Sequence, residues 1–202
     1  MDTRRKTGIL GGSFNPPHLG HLQIAEAVYR EFGLSEVLLL PLGTPPHKRD
    51  IAPKEARREM CRMLVQAGEG LALCTMELER EGYTYTVDTL SALHKAYPER
   101  VFYYIIGTDT LFQLESWRNF REVFRQTEFV CVPRPGDARE AVLDKITAMR
   151  RDYQKEILLA SAAGPDISST EVRERVARGQ STEGLLLPEV RSYIDQERLY
   201  VD

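Results

Sequence analysis

The sequence has little of what would staple a small secreted fold or anchor a chain in a lipid bilayer. Its three cysteines, Cys61, Cys74 and Cys131, are odd in number and far apart, and no CxxC pair occurs. That pattern signals neither a disulfide framework nor a zinc knuckle. The longest apolar runs, Val37–Leu40 and Val101–Ile106, fall far short of the roughly 20 residues a bilayer requires. The opening stretch MDTRRKTGIL carries charges but no apolar segment of the signal-peptide kind. There is no surplus of positive charge either: 27 Lys and Arg stand against 30 Asp and Glu, a net charge of −3. Binding nucleic acid by bulk charge is therefore not expected, although a local pocket for a small anion remains open. These absences point to a cytoplasmic, enzyme-sized domain with no nucleic-acid or membrane partner. They leave oligomeric state open, a homo-oligomer included.

What is present is a globular composition, 42% apolar and 28% charged over 202 residues, long enough for one large domain with a real core. Short, continuously apolar runs alternate with helical patterns. Thr7–Leu10, Val37–Leu40, Leu71–Met76, Val101–Ile106, Phe129–Val132 and Ile157–Ala160 read as strands. Leu19, Leu22, Ala25, Val28, Tyr29 and Phe32 recur at helical spacing ahead of Gly33. The stripe Met60, Met63, Leu64 and Ala67 marks a helix from about Lys54, and Val87, Leu90, Leu93 and Tyr97 mark another that Pro98 ends. Val142, Ile146, Met149 and Tyr153 mark a long helix, and Ser169–Arg178 and Pro188–Gln196 two more. Apolar strands separated by helices imply a doubly wound α/β parallel sheet covered on both faces. No linker divides the chain, so residues 1–202 read as one domain whose last part, from about 165, is helical. Ligands in such sheets lie beyond the carboxyl ends of the strands, where the winding reverses.

The first strand runs into Gly11-Gly12-Ser13-Phe14-Asn15-Pro16-Pro17-His18-Leu19-Gly20-His21. Two glycines admit a ligand close to the backbone, and two prolines stiffen a turn that delivers the chain into a helix. The open amides of a helix start suit a phosphate. His18 and His21 lie one turn apart, so both rings can face one anion. The corner is neither a Walker A loop nor a GxGxxG fingerprint, and a metal reading of the two histidines lacks an adjacent third ligand. The plain alternative is a Gly/Pro turn with two incidental histidines.

These residues resemble the nucleotidyltransferase signature GGxFxPxHxGH. Pro45-Pro46-His47-Lys48, Tyr85-Thr86-Val87-Asp88-Thr89-Leu90, Gly107-Thr108-Asp109, Trp117, Pro133-Arg134-Pro135-Gly136 and Ile167-Ser168-Ser169-Thr170 follow in order. The whole series is similar to that of the bacterial nicotinate-mononucleotide adenylyltransferases. The resemblance implies a Rossmann-like nucleotidyltransferase fold and a reaction joining ATP to nicotinate mononucleotide, giving deamido-NAD and pyrophosphate. Two positions depart from it: Asn15 stands where the bacterial family usually has Asp, and Thr108 where it usually has Ala or Gly.

The resemblance also implies roles. His18, His21, Lys48 and Arg173 would be catalytic, and ATP would contact Gly11, Gly12, Ser13, Phe14, His18, His21, Gly107, Ile167, Ser169, Thr170 and Arg173. Asn15, Lys48, Tyr85, Thr86, Asp109, Trp117, Arg118 and Arg134 would serve the mononucleotide. Mg²⁺ would arrive with ATP, since the chain shows no carboxylate cage of its own. Several of these residues have simpler readings beside the functional one. Ser168 and Glu171 satisfy a capping-box pattern, Trp117 could be core, Asp109 could cap a helix, and Lys48 and Arg134 could be solvated loop residues. Competing functions are a nicotinamide-mononucleotide or dual-specificity enzyme and a nucleotide sensor without turnover. A tRNA synthetase fragment is set aside for want of a KMSKS-like segment.

Overall fold

Strands that are apolar on both faces must be buried between two helical layers, and the central strands of the sheet here are. The computed structural model describes residues 4–44, 51–161 and 163–201. Its strands are β1 (Arg5–Gly12), β2 (Glu36–Pro41), β3 (Leu71–Leu73), β4 (Arg100–Gly107), β5 (Glu128–Val132) and β6 (Ile157–Leu159). They form one parallel sheet in the order β3-β2-β1-β4-β5-β6. The helices are α1 (Leu19–Glu31), α2 (Lys54–Ala67), α3 (Thr86–Ala96), α4 (Thr108–Leu111), α5 (Phe120–Gln126), α6 (Arg139–Tyr153), α7 (Ser169–Ala177) and α8 (Pro188–Gln196), with a 3-10 turn at Leu114–Ser116. The doubly wound α/β sheet expected from the sequence is the observed fold.

Successive strand residues point to opposite faces, and the core divides accordingly. Ile9, Leu38, Ile106 and Cys131 pack with Leu90 and Leu93 of α3, Val123 and Phe124 of α5, and Val142 and Met149 of α6. Their chain neighbours Leu10, Leu39, Ile105 and Val130 pack on the other face with Ala25 and Val28 of α1 and Cys61 and Leu64 of α2. A third cluster joins Val172 and Val176 of α7 and Val190 and Ile194 of α8 to Met60 of α2. The C-terminal helices are thereby seated on α2. Among the described residues no helix is long and apolar enough to cross a membrane.

The structure corrects the sequence reading in several places. β1 extends to Gly12, so the glycine pair ends a strand, paired with Leu40 and Pro41 of β2, and the turn begins after it. The left-handed backbone conformation falls on Phe14 (φ 46°), followed by a cis Asn15–Pro16 peptide. β3 stops at Leu73, where residues 71–76 were expected. The buried face of α2 is Ala56, Arg57, Met60, Cys61 and Leu64, rotated from the stripe read off the sequence. α4 and α5 were not foreseen, because elements of four and seven residues are too short to display a helical period.

Candidate active site

The winding of the sheet reverses between β1 and β4, and a cavity of about 670 Å³ opens there, at the carboxyl ends of β1, β4 and β5. Of the residues singled out from the sequence, Gly11, Gly12, Ser13, Asn15, His18, His21, Gly107, Trp117, Arg134, Ile167, Ser169, Thr170 and Arg173 line it. Phe14 does not. Its ring is 1% exposed and packs in the core behind His21, with ring centroids 4.8 Å apart. Tyr85, Thr86, Asp109 and Arg118 lie off the lining. The Arg118 guanidinium stacks on the Tyr85 ring at 4.4 Å, at the start of α3. Lys48, with Pro45, Pro46 and His47, lies outside the described residues.

The histidine pair is built by the start of α1. His18 is the N-cap residue, and its backbone N–H donates to Nδ1 of His21 at 3.2 Å, which holds the two rings 3.7 Å apart, centroid to centroid. A Cβ at residue 20 would meet Nδ1 of His18 at 2.9 Å and Cγ of Pro165 at 3.2 Å. The room that Gly20 leaves is therefore taken first by the His18 ring. The helix start is less open than the sequence implied, since the Leu19 N–H donates to the Leu185 carbonyl at 2.8 Å. His18 is 6% exposed. Burial first, and the Arg134 charge second, pull its pKa from 6.5 down to about 4, so at neutral pH it is an uncharged imidazole with a single N–H to give. Its Nδ1 is buried with no hydrogen-bond partner among the described residues. A buried polar atom without a protein partner calls for an explanation, an unbound ligand among them.

The C-terminal helices tie themselves to the same corner. Arg173 of α7 donates through Nη1 to the Asn15 carbonyl at 2.7 Å and through Nη2 to Oγ1 of Thr170 at 3.2 Å. Ser169 donates its hydroxyl to the Pro16 carbonyl at 2.8 Å. Ser168 caps α7, accepting the Glu171 N–H at 3.1 Å. The Glu171 carboxylate instead holds Arg175, so only half of the expected capping box forms. Near the end of the chain, the Tyr200 hydroxyl donates to Oδ1 of Asn15 at 2.9 Å, and the Ala52 N–H donates to the same oxygen at 3.0 Å. The Asn15 carboxamide oxygen thus ties the corner to Tyr200 and to the residues just before α2.

Two contributors, Arg57 and Tyr104, were not apparent from the sequence. Arg57 is fully buried and donates only to backbone carbonyls: Nε to Ala52 at 3.0 Å, Nη1 to Ser13 and Leu42 at 3.1 and 2.6 Å, and Nη2 to Gly43 at 3.1 Å. It fixes the glycine corner to the exit of β2. Tyr104 lines the cavity beside Trp117, edge-on at 5.7 Å, and its hydroxyl occupies the space a Cβ at Gly11 would need. Trp117 is half-buried, so it belongs to the cavity wall and to the core cluster at once. Asp109 pairs with Arg134 at 3.0 Å rather than capping its helix. Among the described residues no three His, Cys, Asp or Glu side chains are grouped so as to hold a metal ion.

The chain matches the model of the family described as "Cytidylyltransferase-like" over residues 9–175. It is 36% identical to a protein of Thermoanaerobacter sp. over 99% of this chain and 96% of that one, and 38% identical to one of Lachnoclostridium phytofermentans over 98% and 100%. Both carry the description "Probable nicotinate-nucleotide adenylyltransferase". Among solved structures, Plasmodium falciparum nicotinic acid mononucleotide adenylyltransferase complexed with NaAD has a similar fold. It superposes with a TM-score of 0.79 at 19% identity, covering 97% of each chain.

Proposed function

The chain belongs to the cytidylyltransferase-like family and, within it, to the nicotinate-nucleotide adenylyltransferases, and on that premise we propose that its glycine–histidine corner aligns ATP for attack by the phosphate of nicotinate mononucleotide. The reaction yields deamido-NAD and pyrophosphate, a step of NAD biosynthesis. The observation that carries the site assignment is convergence: one cavity at the sheet's switch point is lined by the glycine corner, both histidines and the Ser169–Thr170–Arg173 face of α7.

The chemistry asks for alignment and charge stabilisation, not for a protein nucleophile. A phosphate monoester has a second pKa near about 6 and is largely dianionic at neutral pH, so no general base is needed. One of its oxygens attacks the α-phosphorus, the bond to the bridging oxygen breaks, and that oxygen leaves on pyrophosphate. Neutral His18 donates its one N–H to the α-phosphate as negative charge grows on it. A fixed donor there favours the transition state over the ground state. Arg173, already fixed by Asn15 and Thr170, faces the β- and γ-phosphates from the start of α7. Arg134 serves the mononucleotide phosphate, and Trp117 offers its face to the pyridinium ring. Lys48 acts on the phosphates. Mg²⁺, which would arrive bound to ATP, would supply further neutralisation of the leaving group.

The test is pyrophosphate release with ATP and Mg²⁺ and each mononucleotide in turn. Release is expected with nicotinate mononucleotide and much less with nicotinamide mononucleotide. Equal rates with both would contradict the acid preference, and no release with either would contradict adenylyl transfer.

A further inference from the structure

The surroundings of Thr108 give it work. It is 3% exposed, at the first position of α4, where β4 ends. Its hydroxyl donates to Oδ2 of Asp137. The same oxygen accepts the Arg134 N–H at 2.6 Å, while the Asp137 N–H donates back to the Arg134 carbonyl at 3.2 Å. The loop after β5 is therefore a closed turn, with Gly136 in the left-handed region at φ 87°, and Thr108 bolts that turn to the end of β4. Both backbone polar groups of Arg134 are held by one residue.

The Arg134 side chain is held quite differently. It passes over Gly107, with Nε 3.9 Å from where a Cβ would stand, and pairs with Asp109 at 3.0 Å. Both side chains of that pair are more than half exposed, and exposed ion pairs contribute little and exchange readily. Arg134 thus combines a fixed backbone with a guanidinium free to trade Asp109 for a stronger anion. Its charge is also felt at His18, which puts it at the phosphate end of the cavity. The Thr108 hydroxyl and the Arg134 N–H hold the Asp137 carboxyl below the usual carboxylate range, so the tie persists across the neutral range.

From this geometry we infer that Thr108 and Asp137 are positioning residues that preset Arg134 for the phosphate of the mononucleotide. The inference rests on the proposed reaction and on Arg134 meeting that phosphate. A backbone fixed beforehand leaves less of the loop to order on binding, so loss of the tie should appear as weaker binding of one substrate only.

The experiment is steady-state kinetics on Thr108→Ala, Thr108→Ser and Arg134→Ala, with the double variant Thr108→Ala/Arg134→Ala. Thr108→Ala is expected to raise KM for nicotinate mononucleotide about five- to tenfold, with kcat and KM for ATP within about twofold. Thr108→Ser, which keeps the hydroxyl, should restore KM. With Arg134 already removed, Thr108→Ala should add less than about twofold, because it acts only through that arginine. An unchanged KM in Thr108→Ala, a parallel rise in KM for ATP, or the full effect persisting without Arg134 would each overturn the inference. A wild-type enzyme silent with both mononucleotides would overturn the underlying reaction instead.

Discussion

Replacing His18 by alanine is expected to lower kcat about 100- to 1,000-fold while KM for ATP changes less than about threefold, the range seen when one donor to a developing oxyanion is deleted. The asymmetry follows from the state of the ring. Burial keeps His18 uncharged, so it adds little electrostatic attraction for ATP in the ground state. Its single N–H gains strength only as charge builds at the α-phosphorus. Loss of activity should not reflect unfolding. The His18 N–H that donates to His21 is backbone and survives the substitution, and the buried Nδ1 without a partner is removed with the ring. Thermal denaturation beside the kinetics separates the two effects. A variant with weakened ATP affinity and undiminished kcat would remove His18 from the transition state.

The second large effect is on stability. Arg57→Met is expected to cost about 3–5 kcal/mol, enough to lower Tm by roughly 10 °C in a chain of this size. Two terms oppose each other. Methionine relieves the penalty of keeping a cation out of water. Against that, it removes the donor from the carbonyls of Ser13, Leu42, Gly43 and Ala52, of which that of Gly43 is fully buried and the others partly, and an acceptor buried without a donor costs about 1–3 kcal/mol. Four acceptors outweigh one desolvated charge. Arg57→Lys should fall between, since an ammonium on a single stem cannot span four carbonyls set around a planar fork. Glu77 takes part on the far side: its Oε2 accepts the Gly43 N–H at 3.3 Å and its Oε1 the Thr89 hydroxyl at 2.8 Å. Denaturant titration of the three proteins measures the order, and an Arg57→Met protein within about 1 kcal/mol of wild type would contradict it.

Much of this architecture is legible in the chain because its signals are local. Apolar runs at Val37–Leu40 and Val101–Ile106 declare buried strands, and the residues that follow each strand fall at one edge of the sheet by topology alone. The glycine–histidine corner is contiguous, so its parts could be read together. Other contributions depend on contacts distant in sequence. Tyr200 meets Asn15 across 185 residues and Arg173 meets it across 158, and no periodicity announces such a pairing. Asp137 gains its role only because β4 and β5 are neighbours. Arg57 did leave a trace: it lies three, four and seven residues before Met60, Cys61 and Leu64, on the apolar face of α2. A charge in such a stripe has to be buried with partners, and that pattern marks it. Phe14, by contrast, belongs to the motif by sequence, yet the left-handed turn sends its ring into the core.

The corner formed by Gly11, Gly12, His18 and His21, closed by Arg173, is expected to hold the triphosphate of ATP. A crystal structure with a non-hydrolysable ATP analogue tests it most directly. The phosphates are expected within hydrogen-bond distance of the His18 ring and the Arg173 guanidinium, inside the cavity at the ends of β1 and β4. A triphosphate seated elsewhere on the protein, with those two side chains unmoved and untouched, would contradict the account.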